Sequence, residues 1–294
     1  MRNLIVAMRP DQWTKNLVLF AGLLFAGGLR DPRLVLLSVS AFFAFCLLSG
    51  ASYIFNDLAD LKRDREHPEK RTRPIASGAL APRTAAVWAS LMAAFALVWA
   101  YLLNPSFGHV AAGYFALNVL YDVALRRMVV LDVMAIAVGF VLRAVGSVEA
   151  LVSRSPEIEL SPWLLVCTFF LALFLGLGKR RHEVVVLGEA AAEHRPSLAF
   201  YPRPLVDMLL GIVASATLVS YAIYTIWPGT VEKVGGTGLV YTVPFVVYGV
   251  LRYVYLVLAE GRGGVPSRAL VSDRPLGIDV LLWVGAVALI IYAR

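Results

Sequence analysis

Residues 34–55 read "LVLLSVSAFFAFCLLSGASYIF", a run without one charged side chain. A bilayer core is crossed by about 20 mostly apolar residues in a helix, because in hydrocarbon a chain must satisfy its backbone polar groups internally. Runs of this kind recur along the 294-residue chain, which is 59% hydrophobic with a mean hydropathy of +0.73. The pattern excludes an ordinary soluble domain and predicts an all-α integral membrane protein. Nine spans are expected, at roughly 14–29, 33–55, 84–103, 107–125, 129–149, 161–178, 207–227, 238–258 and 276–293. No small-residue cleavage site follows the opening segment, so no removable leader is expected. With no repeats or Pro/Ser-rich linkers, residues 1–294 read as one membrane domain. Cys46 and Cys167 both fall within apolar runs and read as small hydrophobes rather than a disulfide.

Charge then sets an orientation. With the N-terminus in the cytoplasm, 21 of the 27 lysines and arginines fall on the inner side. The positive-inside rule therefore predicts N-in and C-out, with the long polar loops, about 56–83, 179–206 and 259–275, on the cytoplasmic face of a cell membrane. Attraction to anionic headgroups accounts for part of this basicity, but not for acids mixed into it at helical spacing.

Four such mixtures stand out. In "NDLADLKRDREHPEKRTRPIASG", residues 56–78, Asp57, Asp60 and Asp64 sit at offsets of three and seven beside Asn56. On a helix the three would share one face, an oxygen-rich set suited to Mg²⁺, which binds through one or two carboxylates plus substrate phosphates. Arg71 and Arg73 follow and suit bidentate phosphate contact. The alternative is a loop that solvates itself with i,i+4 pairs.

Next comes a polar stripe of Tyr114, Asn118, Tyr121 and Asp122 on an apolar helix, followed by Arg126. It suits a cavity or a partner helix. On the following span Asp132 and Arg143 are eleven residues apart and so share a face. Arg143, deep in hydrocarbon, is expected to face inward and meet an acid or a phosphate, a structural salt bridge being the competing reading. The third mixture, "GLGKRRHE", pairs Lys179 with Glu183 at i,i+4 and adds Arg180; Arg181 and His182 read as a stop-transfer charge. The last, residues 252–277, has Arg252 ending one span and Asp273 with Arg274 opening another, around a Gly-rich middle. At the N-terminus "RPDQWTKN" adds Gln12, Lys15 and Asn16. Carboxylates and cations delivered to one mouth of a lipid-embedded bundle suit an enzyme that joins a phosphorylated, water-soluble substrate to a membrane lipid.

"NDLADLKRD" resembles the NDxxDxxxD motif of the UbiA superfamily of intramembrane prenyltransferases, which implies a nine-helix bundle with a cytoplasmic-facing active-site mouth. "RPDQWTKN", "YIFNDLADLKRDREHPEKRTRPIASG", "VLDVMAIAVGFVLRAVGS", "GLGKRRHE" and "LRY" with "SDRPL" stand in the order of its decaprenyl-phosphate phosphoribosyltransferase branch. That resemblance implies Mg²⁺-dependent transfer of 5-phosphoribose from phosphoribosyl pyrophosphate (PRPP) to a polyprenyl phosphate, with pyrophosphate released and the anomeric centre inverted. The product would supply arabinose donors for cell-wall arabinan. Asp57, Asp60, Asp64 and Asn56 would hold Mg²⁺ on the leaving group. Lys179 and Arg180 would hold one phosphate and Arg71 and Arg73 another. Tyr121, Asp132 and Arg143 would line the cavity, and Lys15, Arg126, Glu183 and Arg252 complete the binding set. Two places depart from the branch: Arg126 stands for a usual lysine, and "GGVPSRAL" replaces a usual acidic pair.

Two other readings compete. A prenyl diphosphate donor with an aromatic acceptor would call for a second acidic motif where "GKRRHE" stands. A transporter would call for internal repeats and paired charges at depth. No nucleic-acid partner is expected.

Overall fold

The computed structural model describes residues 2–25, 28–68, 70–156, 161–188, 196–264, 269 and 272–292. Among these, every regular element is helical. The long helices are α1 (Pro32–Ala59), α2 (Pro82–Leu103), α3 (Pro105–Val123), α4 (Leu131–Glu149), α5 (Pro162–Leu187), α6 (Arg203–Ile226), α7 (Val243–Leu258) and α8 (Arg274–Tyr292).

Their starts follow from local chemistry. Pro32, Pro82 and Pro162 each open a helix where no amide partner is required. Asp31 caps α1 by accepting the Arg33 N–H at 2.8 Å. Asn104 Oδ1 does the same for α3, accepting the N–H of Ser106 at 2.8 Å.

Seven described helices are long and apolar enough to cross a bilayer: α1, α2, α4, α5, α6, α7 extended back to Thr237, and α8 as far as Ile291. Two of the expected nine are not among them. Residues 107–125 do form a helix, α3, but His109, Tyr114, Asn118, Tyr121 and Asp122 lower its hydropathy. Residues 14–29 are instead a 3₁₀ segment, Pro10–Phe20, followed by the short helices Ala21–Phe25 and Gly28–Arg30.

The chain packs as two compact units: Met1–Asp122 with Leu142–Glu159, and Val123–Val141 with Leu160–Arg294. In the first, Ala85, Ala89, Ala93, Ala96 and Ala100 make a buried small-residue stripe on α2, which packs on α1 with its own Ala41, Ala44 and Ala51. Small side chains let helix backbones approach closely where lipid removes the usual hydrophobic drive. In the second, α5 and α6 form the main contact, and Leu173, Phe174, Leu177, Leu210, Val250 and Leu256 fill the core. Outward faces remain apolar, with Leu36, Phe95, Leu102, Leu281 and Leu289 exposed.

Candidate active site

In the first unit, α1 ends at Ala59, and a short helix, Leu61–Glu66, carries on after a joint at Asp60. The Asp60 N–H donates to the Asn56 carbonyl at 3.0 Å and its own carbonyl accepts the Asp64 N–H at 2.8 Å, so one helical turn bridges the joint. Asp57 and Asp64 are buried, and their carboxylates converge. Arg73 Nη1 donates to Asp57 Oδ1 at 3.0 Å and to Asp64 Oδ2 at 2.6 Å. A second guanidinium, Arg9, donates to the same Asp57 oxygen and lies over the Tyr53 ring, 4.8 Å from its centroid. Arg9 is held there in the left-handed backbone region, φ 53°, uncommon for a residue with a Cβ. Asn56 turns away from this pair and donates to Asp122 Oδ1 at 2.6 Å. Asp60 is half-buried at the joint, Arg71 and Lys15 are exposed, and Tyr121 is half-buried.

Among the described residues no three acidic, histidine or cysteine groups already stand together as a metal cluster. The donor set still suits Mg²⁺. Two buried carboxylates face one position that now holds a cationic nitrogen, and one or two carboxylates are the usual protein share of a Mg²⁺ site that takes substrate phosphates.

Deeper in the same unit, Arg143 is 6% exposed. It donates from Nε to Asn16 Oδ1 at 2.8 Å and from Nη2 to Tyr114 OH at 2.7 Å. Asn16 also donates to Ser49 Oγ at 3.3 Å. "RPDQWTKN" thus supplies a buried network residue at Asn16 rather than a residue at the mouth.

In the second unit the "GLGKRRHE" stretch is not a loop. α5 runs through it to Leu187 because two of its cations are neutralised internally. Arg180 donates to Asp132 Oδ2 at 2.8 Å and to Glu183 Oε2 at 2.6 Å. Exposed Lys179 lies 3.9 Å from the other Glu183 oxygen. Tyr201 OH donates to Asp132 Oδ1 at 2.7 Å and accepts the Val130 N–H at 2.7 Å, while Ser197 Oγ donates to Asp132 Oδ2 at 3.2 Å. Burial, then the bond to Asp132, pushes the Tyr201 phenol above its ordinary range and keeps it a donor. Val130, β-branched at φ 67°, is strained, and the bond to Tyr201 helps to hold it.

Arg181 is buried as well, which a stop-transfer charge would not be. It donates to Asp207 Oδ1 at 3.0 Å and to the last carbonyls of α7, at Val257 and Leu258. His182 Nδ1 lies 2.6 Å from the Gly261 carbonyl, pinning the segment that follows α7. Arg252 grips Asp273 with Nε at 3.1 Å and Nη2 at 2.7 Å. Asp273 also accepts the Leu276 N–H at 3.0 Å, capping α8. Those bonds, Arg252 first, hold its carboxyl below the usual range. Arg126 is half-buried in the turn Leu125–Arg127. Most of "GGVPSRAL" lies outside the described residues.

Asp132 and Arg143 share a helix, yet Asp132 belongs to the network of the second unit and Arg143 to that of the first. Arg9, Tyr201 and Asp207 were not singled out as site residues from the sequence. Their partners lie 48, 69 and 26 positions away, a separation that no local pattern registers.

Comparison with known proteins agrees with this architecture. The chain is 34% identical to a decaprenyl-phosphate phosphoribosyltransferase of Mycolicibacterium smegmatis, the match covering 98% of this chain and 92% of that one. It is 33% identical to the Corynebacterium glutamicum protein of the same name, over 98% and 86%, and 32% identical to that of Mycobacterium tuberculosis, over 96% and 92%. Among solved structures, a UbiA homolog from Archaeoglobus fulgidus bound to DMAPP and Mg²⁺ superposes with a TM-score of 0.73 at 17% identity, covering 99% of this chain and all of the other. The apo UbiA homolog from Aeropyrum pernix K1 gives 0.66 at 17% identity, over 94% of this chain and 98% of that one. The model of the UbiA prenyltransferase family matches residues 16–270. With seven apolar helices long enough to span a bilayer among its described residues, this chain is an integral membrane protein and belongs to the UbiA prenyltransferase family.

Proposed function

We propose that the chain transfers 5-phosphoribose from PRPP to a polyprenyl phosphate, with Mg²⁺, and releases pyrophosphate. The observation that carries this reading is 32–34% identity over 96–98% of the chain to proteins that share the name decaprenyl-phosphate phosphoribosyltransferase. The site chemistry supports it. Asp57 and Asp64 present converging carboxylates, while the "GKRRHE" stretch has a single acid, Glu183, where a second acidic motif would favour a prenyl diphosphate donor.

In this reading Asp57 and Asp64, with Asp60 at the joint beside them, would hold the metal, which would supply Lewis-acid withdrawal of charge from the pyrophosphate. Asn56, bonded to Asp122, would reach it only by turning back. Arg71 and Arg73 bind donor phosphate, and Lys179, with Arg180 and Glu183, binds a further phosphate. Arg180 is tied to Asp132, so its part is to fix Glu183 and Lys179 rather than to reach out alone. The remaining proposed roles are cavity lining for Tyr121 and Arg143 in the first unit, support of Arg180 by Asp132 in the second, and substrate binding for Lys15, Arg126 and Arg252. The lipid phosphate is already ionised near neutral pH and attacks ribose C1 without a general base. As the C1–O bond to pyrophosphate breaks, the new C1–O bond to the lipid phosphate forms from the opposite face. The distribution of lysine and arginine supports a cytoplasmic site, where PRPP would be met.

A donor competition tests this. Purified protein with Mg²⁺ receives either labelled PRPP and polyprenyl phosphate, or labelled prenyl diphosphate and an aromatic acid. Label entering the lipid fraction only from PRPP, and only without EDTA, is expected. Transfer from prenyl diphosphate instead would establish the other donor.

A further inference from the structure

The position that two buried carboxylates would offer to a metal is held by a side chain of the protein itself. We infer that Arg73 is a resident counter-cation that must leave this position before a divalent metal can enter, and that it moves to the diphosphate of the incoming donor. The inference rests on the reading of Asp57 and Asp64 as metal ligands.

Three observations carry it. First, one nitrogen, Arg73 Nη1, touches both carboxylates, at 3.0 and 2.6 Å, so a metal bridging the two could not coexist with it. Second, the arginine is placed to move while its backbone stays. The Asp57 and Asp64 side chains are 3% and 2% exposed but that of Arg73 is 27% exposed. The Arg73 N–H donates to the Lys70 carbonyl at 3.0 Å, its carbonyl accepts the Ser77 N–H at 2.9 Å, and Ile75 and Ala76 beyond it are buried. A rotamer change is enough to swing the guanidinium. Third, the charges balance. Asp57 and Asp64 are matched by Arg9 and Arg73, so a divalent ion added alone would leave the cluster in excess positive charge. A metal arriving with a diphosphate gives Arg73 a bidentate anion to move to.

The consequence is ordered recruitment: metal and donor bind cooperatively, and Arg73 sets the coupling. Such coupling is reciprocal, so it is readable from metal binding alone. Mn²⁺ titration of the purified, detergent-solubilised full chain, followed by paramagnetic resonance, gives the affinity with and without PRPP. Arg73→Gln and Arg73→Lys are compared with Arg65→Gln, which removes the same unit charge from an exposed site on the Leu61–Glu66 helix.

Arg73→Gln is expected to tighten donor-free Mn²⁺ binding about tenfold, equal to roughly 1.4 kcal/mol, and to lose most of the tightening that PRPP produces in the wild type. Arg73→Lys should fall between the two, and Arg65→Gln should match the wild type. Equal donor-free affinity in wild type and Arg73→Gln would overturn the exchange, as would the same gain in Arg65→Gln. Coupling to a prenyl diphosphate in place of PRPP would retain the exchange while refuting the PRPP reading. A wild type that binds no Mn²⁺ with either donor would overturn both.

Discussion

Arg180 Nε lies 2.8 Å from Asp132 Oδ2, and the two side chains are 2% and 0% exposed. An ion pair so fully desolvated adds little stability over a well-packed apolar pair, but removing Asp132 takes one carboxylate from buried Arg180, which keeps Glu183, and strips the Tyr201 phenol of its acceptor. Asp132→Ala is therefore expected to destabilise the protein by about 1–3 kcal/mol, read as a fall in thermal midpoint in detergent. Asp132→Asn, which keeps the shape and some hydrogen bonding, should lose less. Equal midpoints for wild type and Asp132→Ala would refute the pair's structural role.

Tyr201 gives the same carboxylate its second strong bond and takes the N–H of strained Val130. Tyr201→Phe deletes both bonds and leaves a buried acceptor short of a donor, at a cost of about 1–3 kcal/mol. Hydrogen exchange at the start of α4 should rise with it. Unchanged exchange there would separate Val130 from Tyr201.

Arg143 organises Asn16 and Tyr114 within the first unit. Arg143→Met should lower stability by about 1–3 kcal/mol through the unpaired amide and phenol left behind. Tyr114→Phe keeps the ring face that Arg143 covers at 4.7 Å and should cost less. A melting curve for each variant orders the two.

Asp64→Asn keeps the volume and the short helix but removes one carboxylate from the converging pair. Turnover should fall at least about a hundredfold if metal charge stabilises the leaving group, with little change in melting temperature. Near-normal turnover at saturating Mg²⁺ would remove Asp64 from the site.

Asp273 supplies a pH test. Arg252 holds its carboxyl below the ordinary value, so its contribution is present above the unfolded aspartate value of about 3.9. The contribution is lost as pH falls through the lower, folded value. Protection of the first turn of α8 in hydrogen exchange should stay level from pH 7 to 5 and fall below about pH 4. Arg252→Met should move that loss upward, toward the ordinary aspartate value. The same profile in both proteins would show that the clamp does not hold Asp273.

Apolar runs placed the spans well because hydrophobic length is a local property. The run expected at 33–55 is α1 (Pro32–Ala59), and that at 129–149 is α4 (Leu131–Glu149). α5 outran its expected end at 178 for a physical reason: the charges that looked like a stop are neutralised by Asp132, Glu183 and Asp207. Only Glu183 is near in sequence. In the acidic motif the spacing pointed to one face for Asp57, Asp60 and Asp64. Asp57 and Asp64 do converge on one guanidinium, while Asp60 sits at the joint between two helices. The break at Asp60 and the arrival of Arg9 on Asp57 depend on tertiary packing, which spacing does not encode.

The central claim is best tested by identifying the product. Purified protein, Mg²⁺, PRPP and polyprenyl phosphate are incubated, and the lipid fraction is weighed by mass spectrometry while pyrophosphate is measured in the aqueous phase. The account predicts a lipid heavier by one phosphoribosyl group, one pyrophosphate released per lipid converted, and neither in EDTA. An unmodified lipid, with PRPP left intact while a small acceptor becomes prenylated from a prenyl diphosphate, would contradict it.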